Sequence, residues 1–399
     1  MRVTGGILLV AFLAMVTLVA TSPNRFLYDE TYFANYVSLL HQHGFTPSFL
    51  NSLNAAPGPL SAVVQVIFEP LTQLRPVAMR FVNVVSLIAL ALVLVMWLKR
   101  EGNEYWVAGC SVLVVPMTWV VAGMALSEMS AMVFVTLSLY LQLRGLDALD
   151  QGRSVVAWFL VAGVCLGIAV WGRQPYLVLG GIPVLVALME GRLRVPVAIF
   201  VGAASALAIP LFVIWRGLLP PSQHLAQEGF SVVHGLTSFG YAGICFILLG
   251  ARSRWLPVKV VLGLVVLTFT VNASFGAFAL YPVRSMVNRY LAPSAMPLYG
   301  NLFGSLFLSC GVVFLSALLR MIWESRRDLR RLTVNAGLLS VAASPMFVAH
   351  QYSSRYTAMA LPYLILAAQP WRQWRLESVT MAVLGCGVGF LSLYGYFPH

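Results

Sequence analysis

The chain has 399 residues, of which 60% are hydrophobic and only 10% charged, against roughly one quarter charged in a soluble domain. Such a balance excludes a water-soluble fold, and runs such as VNVVSLIALALVLVMWL, which lack two-residue alternation, exclude a membrane β-barrel. The formal charge of +12 is carried by 23 Arg and 2 Lys; it lies in short loops between apolar runs, as expected for a membrane protein, so no nucleic acid partner is expected.

Apolar runs of about 17–25 residues, each able to cross a hydrocarbon core of roughly 30 Å, recur along the whole length. They predict an all-α polytopic membrane protein with about 13 transmembrane helices, forming a single transmembrane domain over 1–399. The first span, roughly 5–21, has features of a signal peptide, but Val19-Ala20-Thr21 is a poor cleavage site and a retained helix is expected. Residues 22–75 then form the first extracytoplasmic loop; within it, 59–71 is too short to cross and is expected to lie at the interface as a helix. Further spans fall near 77–98, 105–123, 127–143, 155–171, 175–190, 195–215, 232–250, 257–279, 291–319, 333–349, 356–370 and 376–396.

With the N-terminus cytoplasmic, 17 basic residues fall on the inner side and 8 on the outer side or at outer span ends. That asymmetry supports the orientation. All six histidines fall outside or at outer span ends, and the two longer polar stretches, 22–75 and 216–231, are both outside. Loops of that length are usually functional or disordered, and the first is rich in aromatics, so the chemistry is expected on the outer face. The five cysteines are scattered through apolar segments without metal-ligand or disulfide-like spacing and read as packing residues.

Several outer segments hold residues that suit chemistry on an anionic lipid. Tyr28-Asp29-Glu30-Thr31-Tyr32 places two adjacent carboxylates just beyond the first span; they read either as acids of a first helical turn or as a base with a neighbour that orients it. Asn54-Ala55-Ala56-Pro57-Gly58-Pro59 marks a fixed turn from which a helix can start. Ser127-Glu128 opens a span, either as a helix start or as a carboxylate that needs a buried partner or an aqueous cavity. Trp171-Gly172-Arg173-Gln174-Pro175 places an Arg where it could hold a phosphate through its planar donor fork or reach headgroups by snorkelling. Arg284 and Arg289 share one outer loop, and His350 and Arg355-Tyr356 another. His41-Gln42-His43 offers two imidazoles, but residues two apart on a helix diverge. No Walker loop, HExxH or GxSxG motif occurs.

Taken in order, these features resemble the GT-C superfamily of membrane glycosyltransferases, which includes protein O-mannosyltransferases, lipid A aminoarabinose transferases and dolichol-pathway glucosyltransferases. The resemblance runs through most of the chain: Asp29, Glu30 and Tyr32 after the first span; the turn at Pro57-Gly58-Pro59; Arg80 opening the next span; Ser127-Glu128; GVCLGIAVWGRQP; and the Arg289-Tyr290 and Arg355-Tyr356 junctions. The Trp-Asp-Pro that precedes the turn in the dolichol-pathway enzymes is replaced by Phe45-Thr46-Pro47, which leaves sugar and acceptor open. The resemblance implies a sugar transfer from a polyprenyl-phosphate donor to an acceptor hydroxyl of a lipid, glycan or protein, in contact with membrane lipids, on the periplasmic side of a bacterial inner membrane. It implies Asp29 as catalytic base with Glu30 beside it. It also implies that Tyr32, Arg80, Glu128, Arg173, Arg284, Arg289, His350, Arg355 and Tyr356 bind substrate and lipid phosphate. No cofactor is required by the motifs, and a divalent cation is left open. The rival classes are a transporter or flippase of lipid-linked glycans, which predicts discontinuous helices or a repeat, and a glycan polymerase or ligase, whose large loop comes late in the chain.

Overall fold

The structure is a computed structural model that describes residues 2–99, 105–224, 229–250, 256–276, 278–281, 290–348, 352–369 and 376–397. It is all-helical. The helices are α1 (Arg2–Ala20), α2 (Glu30–His43), α3 (Pro47–Asn51), α4 (Leu60–Thr72), α5 (Pro76–Leu98), α6 (Tyr105–Cys110), α7 (Pro116–Gly123), α8 (Glu128–Asp150) and α9 (Val156–Gly172). They continue with α10 (Gly181–Met189), α11 (Arg194–Trp215), α12 (Val232–Leu248), α13 (Val258–Phe275), α14 (Met296–Glu324), α15 (Leu329–Ala343), α16 (Ser354–Ala358), α17 (Leu361–Ala368) and α18 (Leu376–Tyr396).

Every predicted span has helical structure, but not thirteen uninterrupted crossings. Among the described residues seven helices are long and apolar enough to cross a membrane, or eight if one bent pair is a single span. Prolines account for much of the difference. The span expected at 105–123 breaks into α6 with a 3-10 turn and α7, bent by 80°. Pro116 has no N–H to continue the helix and pushes Val115 out of the helical region, to φ −83° and ψ 109°. The span expected at 175–190 starts as a 3-10 turn over Gln174–Gly180 before α10. The one expected at 356–370 is split into α16 and α17, with Pro362 in the first turn of the second piece.

Residues 22–75 hold three helices, α2, α3 and α4. α4 has 13 residues and covers the stretch expected at the interface. Its Leu60, Ala62 and Gln65 are buried while Ile67 and Leu71 are exposed, the two-faced pattern of a helix lying on an apolar layer.

α9 packs between α8 and α11, and α14 packs between α12 and α13. Small residues permit the closest approaches: a Cβ on Gly163 of α9 would sit 2.3 Å from the Phe200 carbonyl oxygen of α11. α18 closes the bundle against α1 and α7. The C-terminal ends of α1 and α9 and the N-terminal ends of α5 and α8 meet at one end of the bundle, where residues of 22–75 cover them.

Candidate active site

Asp29 occupies the cap position of α2, with φ −68° and ψ −15°, yet its side chain makes no cap hydrogen bond. Its Oδ2 accepts instead from Nη2 of Arg355, at 2.5 Å. Of the two readings of this carboxylate, capping is therefore not the one adopted. Tyr28, immediately before it, has a φ of +49°, a left-handed conformation that a bulky residue holds only where its surroundings impose it. Its ring packs edge-on against Tyr396, with centroids 5.5 Å apart.

Glu30 points the other way. Its two oxygens receive Arg80 Nε at 2.9 Å and Arg80 Nη2 at 2.7 Å, and the backbone N–H groups of Ala125 at 2.8 Å and Leu27 at 2.9 Å. The remaining Arg80 donors go to Ser22 Oγ and to the carbonyls of Pro23 and Arg25, each at 2.7 Å. All five N–H donors of the guanidinium are thus engaged, and both side chains are fully buried. This corrects two expectations. Glu30 does not stand beside Asp29 in the cavity, and Arg80 has no donor left for a phosphate; together they staple α2 to α5 and to the segment before α8.

Glu128 is also fully buried, at the first position of α8. Its Oε1 accepts from Arg173 and lies 3.7 Å from Nη1 of Arg355. Asn83 secures the preceding loop by donating to the carbonyls of Met124 at 2.6 Å and Leu126 at 2.9 Å. Glu128 is therefore not a wall residue in contact with a ligand, as expected from the sequence; it stands behind the two arginines. Arg173 follows the last residue of α9, and its guanidinium lies over the Tyr356 ring, 5.9 Å from the centroid.

In front of this charged group lies a cavity of about 600 Å³. Asp29, Tyr32, Arg173, Arg355 and Tyr356 line it, all foreseen, together with Asn54, Gln223, Tyr352 and Tyr396. Arg284, Arg289 and His350 lie outside the described residues. Of the additional lining groups, Asn54 belongs to the turn singled out in the sequence, and Tyr352 lies between His350 and Arg355 in the chain. Tyr396, at the end of the last helix, carries no local signal and reaches the site only through the packing of α18.

The Asn54–Pro59 turn forms one wall, and four contacts fix it. The Tyr36 hydroxyl accepts from the Ala55 N–H at 2.6 Å and donates to its carbonyl at 3.1 Å. Gln174 donates to the Ala56 carbonyl and Gln223 to that of Asn54, both at 2.8 Å. At Gly58 the backbone presses on Trp171 so closely that a Cβ would sit 2.2 Å from the Trp171 carbonyl oxygen. Glycine in this turn is a packing requirement, and it joins the first loop to the end of α9.

The charges alternate. Burial works against the charge on Arg355, but Glu128 and then Asp29 outweigh it and raise its pKa above the usual arginine range. Two guanidinium groups on the cavity wall, each backed by a carboxylate, form a donor set suited to a phosphate. Among the described residues no group of three or more His, Cys, Asp and Glu gathers that could hold a metal ion; Asp29 and Glu128 face guanidinium groups instead.

Among the described residues the chain is an all-helical bundle of apolar spans with a polar, arginine-bearing cavity at one end. No family model matches it, and no curated protein matches it at a significant level. Among solved structures, the crystal structure of ArnT from Cupriavidus metallidurans bound to undecaprenyl phosphate matches with a TM-score of 0.55 and 15% identity. The match covers 95% of this chain and 62% of that one, so the chain spans less than two thirds of that protein's length. The apo state of the same ArnT gives a TM-score of 0.48 and 16% identity over 100% of this chain and 78% of that one. At these identities the likeness is one of fold.

Proposed function

We propose that this protein transfers a sugar from a polyprenyl-phosphate donor to an acceptor hydroxyl on the extracytoplasmic face of a bacterial inner membrane. The observation that carries the reading is the meeting of Asp29, Arg173 and Arg355 on one polar cavity at the end of an apolar bundle. A donor whose tail stays in the bilayer must react at such an end. The structural neighbour's binding of undecaprenyl phosphate supports the same class of donor.

In this reading Arg355 and Arg173 hold the donor phosphate, and their charge stabilises the negative charge that grows on it as the glycosidic bond breaks. Asp29 takes the proton of the acceptor hydroxyl. The acceptor oxygen forms the new bond to the anomeric carbon, and the phosphate oxygen departs with the electron pair of the old one. Tyr32, Tyr352, Tyr356 and Tyr396 offer ring faces and hydroxyls against which a sugar can be oriented. The acceptor is a lipid, a glycan or a protein hydroxyl.

One observation suits transport, the broken pair α6–α7. Trp106 and Leu113 of its first piece line a cavity of about 450 Å³ together with Leu8 and Leu87, and no charged side chain is on its wall. A site for a charged headgroup at that break is therefore disfavoured against the arginine-bearing cavity.

The test is release of labelled sugar from a panel of polyprenyl-phosphate sugars by purified protein in lipid, beside Asp29→Asn. Turnover that is lost in the variant supports both the class and the base. Absence of turnover on every donor, with the carrier crossing the bilayer, would replace the reading by transport.

A further inference from the structure

We infer that Arg355 exchanges carboxylate partners when an anionic donor binds, passing from Asp29 to Glu128, and that Glu128 is the positioning residue that permits the exchange. The inference rests on the proposed function and adds to it how the base is held back until the donor is in place.

Arg355 faces two carboxylates of different standing. Asp29 is 2.5 Å away and its side chain is 41% exposed; Glu128 is 3.7 Å away and 0% exposed. Asp29 can leave the pair and be solvated in the cavity, whereas Glu128 has no route to water. The second oxygen of Glu128, Oε2, has no hydrogen-bond partner, and neither has Nε of Arg173. A buried carboxylate oxygen with no donor calls for a functional account. Here the cluster is one donor and one acceptor short of completion, beside a cavity wall made by the same two arginines.

An incoming phosphate is the group that completes it. It competes with Asp29 for Arg355, because both are anions seeking the same guanidinium. When Asp29 is displaced, Arg355 keeps a buried counter-charge in Glu128, whose Oε1 lies 3.7 Å from Nη1 of Arg355 and whose Oε2 is still without a partner. Ser353 Oγ, 3.2 Å from Nε of Arg355, holds the near side of the guanidinium and serves as a pivot. In the resting arrangement Oδ2 of Asp29 is occupied by Nη2 of Arg355, and displacement frees that oxygen to meet the acceptor hydroxyl once the phosphate is seated. Glu128 does not touch the substrate in this scheme. It keeps both arginines charged and adjacent throughout.

The sign of one measurement separates exchange from a merely structural ion pair. Binding of undecaprenyl phosphate to the purified full chain in lipid nanodiscs is compared for wild type, Asp29→Asn, Glu128→Gln and Glu128→Asp. Exchange predicts that Asp29→Asn binds the carrier more tightly, by about fivefold or more, because the competitor has gone, while Glu128→Gln binds it more weakly by a similar factor. Glu128→Asp retains the counter-charge and recovers part of the loss, which also separates lost positioning from failure to fold. Equal or weaker binding by a monodisperse Asp29→Asn protein overturns the exchange. Wild type that does not bind the carrier at all overturns the proposed function, and the exchange with it.

Discussion

Arg355 Nη2 donates to Asp29 Oδ2 at 2.5 Å, across a sequence separation of 326 residues. The contact joins the start of α2 to the short helix α16 and brings the base candidate and the phosphate-binding candidate to one wall. Replacing Arg355 by Ala should lower sugar transfer by about 100-fold, the scale of losing one preorganised charge donor. Lys should rescue only in part, since it is a point charge without the planar fork. Because the Arg355 pKa is raised, its share of stability and of phosphate binding is complete below the usual arginine range and is lost only as pH rises past its folded value, beyond any working pH. Carrier affinity of wild type should therefore show no alkaline loss due to Arg355. Arg355→Lys should lose affinity as pH rises toward the lysine range, about 10.4 for an unperturbed side chain. Carrier binding measured against pH in both proteins checks this.

The Glu30–Arg80 pair should affect stability far more directly than chemistry. Either Glu30→Gln or Arg80→Met leaves its partner buried and uncompensated, a loss of about 3–5 kcal/mol, and should lower the thermal unfolding midpoint in detergent. The double variant should recover part of the loss, because neither charge is then stranded. A Glu30→Gln protein of unchanged midpoint and abolished turnover would return Glu30 to the chemistry.

Gly58→Ala forces a methyl against the Trp171 carbonyl oxygen. It should move the Asn54–Pro59 wall off the end of α9 and destabilise by about 1–3 kcal/mol, as overpacking does elsewhere. A thermal midpoint shift together with reduced donor affinity is expected. Ala at Gly5 of α1, where nothing lies within 4 Å of the added atom, is the control and should change neither.

Tyr36→Phe removes the hydroxyl that holds Ala55 on both its N–H and its carbonyl. About 0.5–1.5 kcal/mol for each lost hydrogen bond is expected. The turn that carries Asn54 loses its anchor to α2, so KM for the donor should rise more than kcat falls. Steady-state kinetics over a range of donor concentration distinguish the two.

The membrane setting and the helical content could be read from the chain alone, because a bilayer leaves a long apolar run only one way to satisfy its backbone. Asp29, Tyr32, Arg173, Arg355 and Tyr356 were legible for a related reason: polar residues at span ends carry a cost that packing alone does not require. The number of uninterrupted crossings was not legible, since Pro116 and Pro362 act on helix geometry without changing the hydropathy on which spans are counted. Nor could sequence separate Asp29 from Glu30. The two are adjacent and chemically alike, and only the direction each takes from α2 sends one to the cavity and the other to Arg80. The same holds for the arginines. Arg80 and Arg355 both lie at span ends with a carboxylate in reach, but burial beneath the first loop uses every donor of one and leaves the other on the wall. The sequence by itself determined the solvent this protein lives in and the set of residues available for chemistry. Which of them share a cavity was decided by tertiary packing, because ion pairing between residues up to 326 apart depends on how helices stack and not on any local pattern.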